Sequence, residues 1–76
     1  MTVYRYGLRM RPPMPGAMPK YGLVSCQDIE GTSPYGHHIY GLADYRERLM
    51  KEEVEAYELE YMGKVETEQV SVWCEK

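Results

Sequence analysis

Apolar and polar positions alternate from the first residues of the chain. Tyr4, Tyr6, Leu8 and Met10 fall on one side of residues 2–11, with Arg5, Arg9 and Arg11 on the other. Successive side chains of a strand point to opposite faces, so this period of two predicts a half-buried strand with a basic outer face. Pro12-Pro13 ends it, because proline lacks the amide that a strand ladder needs. Residues 12–19 hold four prolines in eight positions, which predicts a stiff, extended connector. Its sizeable apolar side chains, Met14 and Met18, either fold back over the core or stay exposed as an adaptable contact. Pro12 and Pro15 also meet a bare PxxP spacing, for which a rigid inter-strand loop is the better account.

Residues 21–27 read as a second strand. The stretch Asp28 to Gly36, dense in Gly, Ser, Thr and Pro, reads as a turn. A third strand begins near His37 and runs through Ile39, Gly41 and Ala43. Two readings follow. In one, Asp44 and Glu47 make a capping box, Leu42, Leu49, Met50, Val54, Tyr57 and Tyr61 form the apolar stripe of a helix over 44–62, and Gly63 closes it. In the other, the strand runs to about Tyr45 and a shorter helix spans Met50 to Glu58. Both contain Lys51–Tyr57. Val70, Val72 and Cys74 alternate with Ser71, Trp73 and Glu75, which predicts a final strand. Val65 is out of phase with that set, which predicts a bend or bulge between 66 and 69.

The order β-β-β-α-β gives one α+β domain over residues 1–76: a small antiparallel sheet of three to four strands covered by one amphipathic helix. The expected core is Tyr4, Tyr6, Leu8, Met10, Leu23 or Val24, Ile39, Leu49, Val54, Tyr57, Val70 and Val72.

Composition adds a style of surface. The chain has eight tyrosines and no phenylalanine, and four of its seven glycines directly follow a tyrosine. Tyrosine carries apolar area but its hydroxyl needs a partner, so rings that reach the surface are expected. The Tyr-Gly pairs are irregularly spaced and form neither a repeat nor a phosphate loop. Charge is divided: residues 1–43 sum to +2 and residues 44–76 to −5. A chain of this size has a thin stability margin, so a protein partner or self-association is expected. The N-terminus does not read as a signal peptide, and no stretch approaches a membrane span. A cytoplasmic setting follows, with Cys26 and Cys74 reduced.

Candidate chemistry is sparse. His37 and His38 are adjacent and would point to opposite faces of a strand, so one metal ion could hardly use both. One solvent-facing and one partly buried histidine is the expectation. No elbow or helix N-terminus activates either cysteine. Glu52, Glu53, Glu55, Glu58 and Glu60 read as the solvated face of a helix. Neither an enzyme nor a cofactor nor a metal is expected. The Arg5, Arg9 and Arg11 face is the nucleic-acid alternative, weakened because alternation separates the arginines from the tyrosines.

Five local signatures occur in fixed order: Arg9-Met10-Arg11-Pro12-Pro13-Met14-Pro15-Gly16-Ala17, Tyr40-Gly41, Tyr45-Arg46, Glu52-Glu53-Val54 and Tyr57-Glu58-Leu59. Together they resemble a family of small, uncharacterised proteins carried on phages and mobile elements of anaerobic gut bacteria, over residues 4–60. The resemblance implies that the Tyr45-Arg46 segment ends a strand and that the shorter helix follows, although Met50 departs from the polar cap expected there. It implies a host-interaction or defence-related role and brings no catalytic residues. The expectation is a small interaction module, an accessory or inhibitor protein, that binds a protein through Arg9, Arg11, Met14, Met18, Tyr35 and Tyr40. Nucleic-acid binding or a structural homodimer are the alternatives.

Overall fold

The computed structural model describes residues 2–66 of the chain. The elements are β1 (Thr2–Leu8), β2 (Leu23–Gln27), β3 (Gly31–Thr32), β4 (His38–Ile39), β5 (Gly41–Tyr45), α1 (Lys51–Ala56) and β6 (Leu59–Glu66). Four strands form one antiparallel sheet in the order β2-β5-β1-β6, and β3 pairs with β4 as a separate two-stranded ribbon. The α+β class and the four-stranded antiparallel sheet agree with the sequence pattern. The expected strand at Val70–Cys74, the bend between 66 and 69, and core positions Val70 and Val72 lie outside the described residues.

Register explains which residues are buried. Tyr6 lies opposite Ala43 and Tyr61, while Leu8 lies opposite Gly41 and Leu59. These residues therefore share one face, and their side chains build the main core together with Tyr45, Ala17 and Met18. β1 stops at Leu8 rather than continuing to Arg11, so alternation no longer turns Met10 inward. Met10 is 53% exposed and leaves the expected core. Tyr4, Leu23, Leu49, Val54 and Tyr57 are only partly buried, packed at the margin of the core.

The cover of that face differs most from expectation. α1 has six residues, none of them buried. Less than two turns cannot present a continuous apolar stripe, so α1 flanks β6 rather than covering the sheet. The proline connector takes that place. Ala17 and Met18 are buried against the core, and Pro13 seats directly over Gly41. A Cβ at Gly41 would come within 2.4 Å of Pro13 Cδ, so only glycine leaves room for the crossing.

The capping-box reading at Asp44 is overturned, since Asp44 lies within β5 opposite Arg5. Met50 is the N-cap of the short helix, and the Glu53 carboxylate accepts from its N–H at 3.4 Å. Gly63 does not close the helix. That turn falls to Glu58, a non-glycine residue at φ 56. Gly63 (φ 113) instead sits in β6 at a register shift against β1, where Met62 is the extra residue. A bulge of this kind needs the left-handed backbone that glycine adopts readily.

The third strand is interrupted at Tyr40, which separates β4 from β5. The β3–β4 ribbon is tied to the sheet by the Tyr40 N–H, which donates to the Leu8 carbonyl at 2.8 Å. Ile39 is buried, and the space left by Gly7 receives it: a Cβ there would meet Ile39 Cδ1 at 2.7 Å.

Candidate interaction surface

The turn Lys20–Leu23 is the centre of the candidate site. Leu23 N–H donates to the Lys20 carbonyl at 3.2 Å, and Gly22 takes φ 79. A glycine in the third position permits this tight turn and throws the preceding side chain outward. Tyr21 is accordingly 89% exposed, the most exposed large apolar residue among those described.

A hollow lies on each side of the turn. One, of about 340 Å³, has Tyr21, Leu49 and Met50 as its apolar lining and Arg46 and Arg48 as its cationic lining. The other, of about 430 Å³, is lined by Met14, Met18, Leu23 and three residues of the connector, Pro13, Pro15 and Gly16. Met14, Tyr21 and Met50 are all exposed, so three large apolar side chains meet solvent around adjacent hollows. Methionine is flexible and polarisable, which suits an adaptable contact. Tyrosine and arginine combine contact area with hydrogen bonds.

Tyrosine hydroxyls fix the scaffold beneath. Tyr45 Oη donates to the Pro19 carbonyl at 2.6 Å, and Tyr6 Oη accepts from Leu49 N–H at 2.9 Å. The first pins the end of the connector and the second pins the loop before α1, so the two walls of the site are held from the core. Burial pushes the Tyr45 phenol well above the ordinary tyrosine value, with nearby Glu53 adding to the effect. The Tyr6 ring meets Tyr45 edge-on and Tyr61 at a tilt. Arg48 lies over the other aromatic neighbour, its guanidinium carbon 4.5 Å from the Tyr61 ring centre.

The residues singled out in the sequence are divided by the fold. Met14 and Met18 come together in the second hollow, but Met18 is buried and serves as floor rather than exposed contact. Arg9 and Arg11 are exposed beyond the end of β1 and line neither hollow. Tyr35 is exposed at the tip of the β3–β4 ribbon, where Ser33 Oγ accepts from the N–H groups of Tyr35 and His37. Tyr40 is half-buried and packs edge-on against His38, with ring centres 4.5 Å apart. The continuous basic face on β1 does not form. Arg5 makes a two-pronged contact with Asp44, at 2.8 and 2.9 Å, and that hydrogen-bonded carboxylate raises the guanidinium above its ordinary value.

Both histidines are exposed, contrary to the expected division between them. His37 Nδ1 nevertheless lies 2.7 Å from Glu60 Oε1. Glu60 itself was expected on the wet face of a helix. It stands in β6 and is buried, and its Oε2 has no hydrogen-bond partner. Among the described residues, no cluster of three His, Cys, Asp or Glu could hold a metal ion. Tyr21, Arg46, Arg48 and Met50 are the functional candidates that sequence reasoning missed. The Tyr21-Gly22 dipeptide after a proline connector was the available signal, and nothing local pointed to the arginines.

Residues 1–64 match the family Defence against restriction A C-terminal. The chain belongs to this family. It is a family associated with phages and mobile elements, which agrees with the coarser part of the resemblance carried by the sequence motifs. Searches of curated proteins and of solved structures return no match. Among the described residues no helix is long and apolar enough to cross a membrane.

Proposed function

We propose that this domain is a protein-binding accessory module through which a phage or mobile element counters host restriction, and that the surface around Tyr21 makes the contact. Membership of a defence-against-restriction family supports the biological setting. The observation that carries the binding role is the gathering of Met14, Tyr21 and Met50, all exposed, around two adjacent hollows. A small domain rarely leaves several large apolar side chains together in water without a partner for them. The module acts by binding rather than catalysis, in the host cytoplasm. The more specific setting of anaerobic gut bacteria rests on the sequence resemblance alone. Self-association through the same surface is the second form of this reading, and the exposure of the same three residues favours it equally.

The test is the plating efficiency of the encoding element on restricting and non-restricting hosts, with the wild-type domain and with Tyr21→Ala/Met50→Ala. Loss of protection on the restricting host alone, at unchanged protein level, is the expected result. Full protection by the double variant overturns the assignment of this surface. Light scattering on the purified protein separates self-association from binding of another chain.

A further inference from the structure

The connector covers one face of the sheet, and the β3–β4 ribbon lies against the other. Gly7 is opposite Glu60 across β1 and β6, one position out of step with Tyr6 and Leu8. Gly7 and Glu60 therefore belong to the face turned away from the main core. Ile39 and Met62 fill the space over Gly7, and Ile39 is buried yet stands outside the main core cluster. Glu60 is 9% exposed. Its Oε1 meets His37 Nδ1 at 2.7 Å, while its Oε2 is buried with no hydrogen-bond partner among the described residues.

The ribbon shares no strand pairing with the four-stranded sheet, and a two-stranded ribbon is marginal by itself. Its docking rests on Ile39 in the Gly7 space, on the Tyr40 N–H bonded to the Leu8 carbonyl, and on the His37–Glu60 contact. Docking also carries a cost, because it keeps one oxygen of a carboxylate unpaired and away from water. Opening returns that oxygen to water. Burial of Ile39 favours the docked position and hydration of Glu60 opposes it. The main core takes no part in this balance, so the ribbon can lift while Tyr6, Leu8 and Tyr45 stay packed.

We infer that the β3–β4 ribbon is a flap that opens separately from the sheet, latched by His37 on Glu60, and that lifting it uncovers a recess of Gly7, Met62 and the Glu60 carboxylate. The latch is built into the ribbon. Ser33 N–H donates to the His37 carbonyl at 2.8 Å, and His37 N–H donates to Ser33 Oγ at 3.1 Å. The imidazole is thereby carried with the turn. Without it, the docked position buries a carboxylate with neither oxygen paired.

The experiment is native-state amide hydrogen exchange on the whole chain, followed by NMR in rising denaturant below the unfolding transition. Wild type, His37→Ala, Glu60→Met and the double variant are compared. The Tyr40 N–H reports docking of the ribbon, and the paired amides of β1 and β5 report the sheet. In wild type, Tyr40 is expected to exchange faster than the sheet, through an opening that depends little on denaturant. His37→Ala should speed Tyr40 exchange about tenfold, the scale of a lost hydrogen bond to a charged group. In the Glu60→Met background the same substitution should have no effect, because an apolar side chain needs no latch. Wild-type exchange of Tyr40 only with the sheet overturns the flap, and is the result if a buried water satisfies Glu60 in place. An equal effect of His37→Ala with and without Glu60 overturns the latch.

Discussion

The phenol of Tyr45 donates a 2.6 Å hydrogen bond to the carbonyl of Pro19. One residue ends β5 and the other ends the proline connector, so this bond locks the cover of the sheet to its middle. Tyr45 is fully buried and Pro19 is buried with it. The bond therefore lies in a setting where an unmade partner is costly.

Tyr45→Phe is expected to cost about 1 kcal/mol at neutral pH, the usual net value of a buried hydrogen bond. The raised phenol pKa gives the substitution a pH signature. Burial favours the neutral form in the fold, so its stabilising effect is fully present below the ordinary tyrosine value of about 10 and declines as pH rises beyond it. Urea denaturation from pH 7 to 11 should show a steeper alkaline loss in wild type than in Tyr45→Phe.

Asp44→Asn should destabilise by about 2 kcal/mol, less than for a fully buried ion pair, because the Arg5 guanidinium that loses its counter-charge is partly exposed to water. Ser25 Oγ, which donates to Asp44 Oδ2 at 3.4 Å, offers little compensation. Arg5→Lys keeps the charge but loses the fork, and about 1 kcal/mol is expected. Denaturation midpoints of the two variants should fall in that order.

Gly41→Ala and Gly7→Ala test the two close approaches. At Gly41 the added methyl meets the Pro13 ring at 2.4 Å and the Gln27 carbonyl at 2.8 Å, neither of which is a flexible side-chain end. At Gly7 it meets Ile39 Cδ1 and Met62 Sδ, which can shift. Overpacking costs roughly 1–3 kcal/mol, and Gly41→Ala is expected near the top of that range with Gly7→Ala near the bottom. Amide exchange should loosen the connector in the first variant and the β3–β4 ribbon in the second.

Glu58→Gly should stabilise the protein by up to about 1 kcal/mol, because glycine accepts the left-handed backbone at φ 56 without the Cβ clash. The Glu58 side chain is exposed, so little packing is lost. A rise in melting temperature would bear this out; a fall would show that the side chain stabilises the turn.

The fold was legible wherever a short-range pattern was tied to burial. Alternation in residues 2–8 marked β1, and the resemblance through Tyr45-Arg46 and Glu52-Glu53-Val54 pointed to the short helix rather than the long one. The site was less legible because its parts are separated along the chain. Met14 and Met18 were visible as apolar residues in a proline-rich segment, but their different burial depends on where Ala17 and Pro13 meet the sheet. Arg46 was visible only as part of the Tyr45-Arg46 strand end, and no local pattern set Arg48 apart from the other charged side chains near it.

The sequence by itself determined the local punctuation: a strand at the start of the chain, the stiff connector, the turn-rich segment before His37 and the helical run from Lys51. These follow from backbone chemistry and side-chain period, which act over a few residues. Only the tertiary structure decided what each Tyr-Gly pair does. Gly7 and Gly41 admit Ile39 and Pro13, while Gly22 turns Tyr21 outward between two hollows. Which segment approaches a glycine depends on strands brought together from distant parts of the chain.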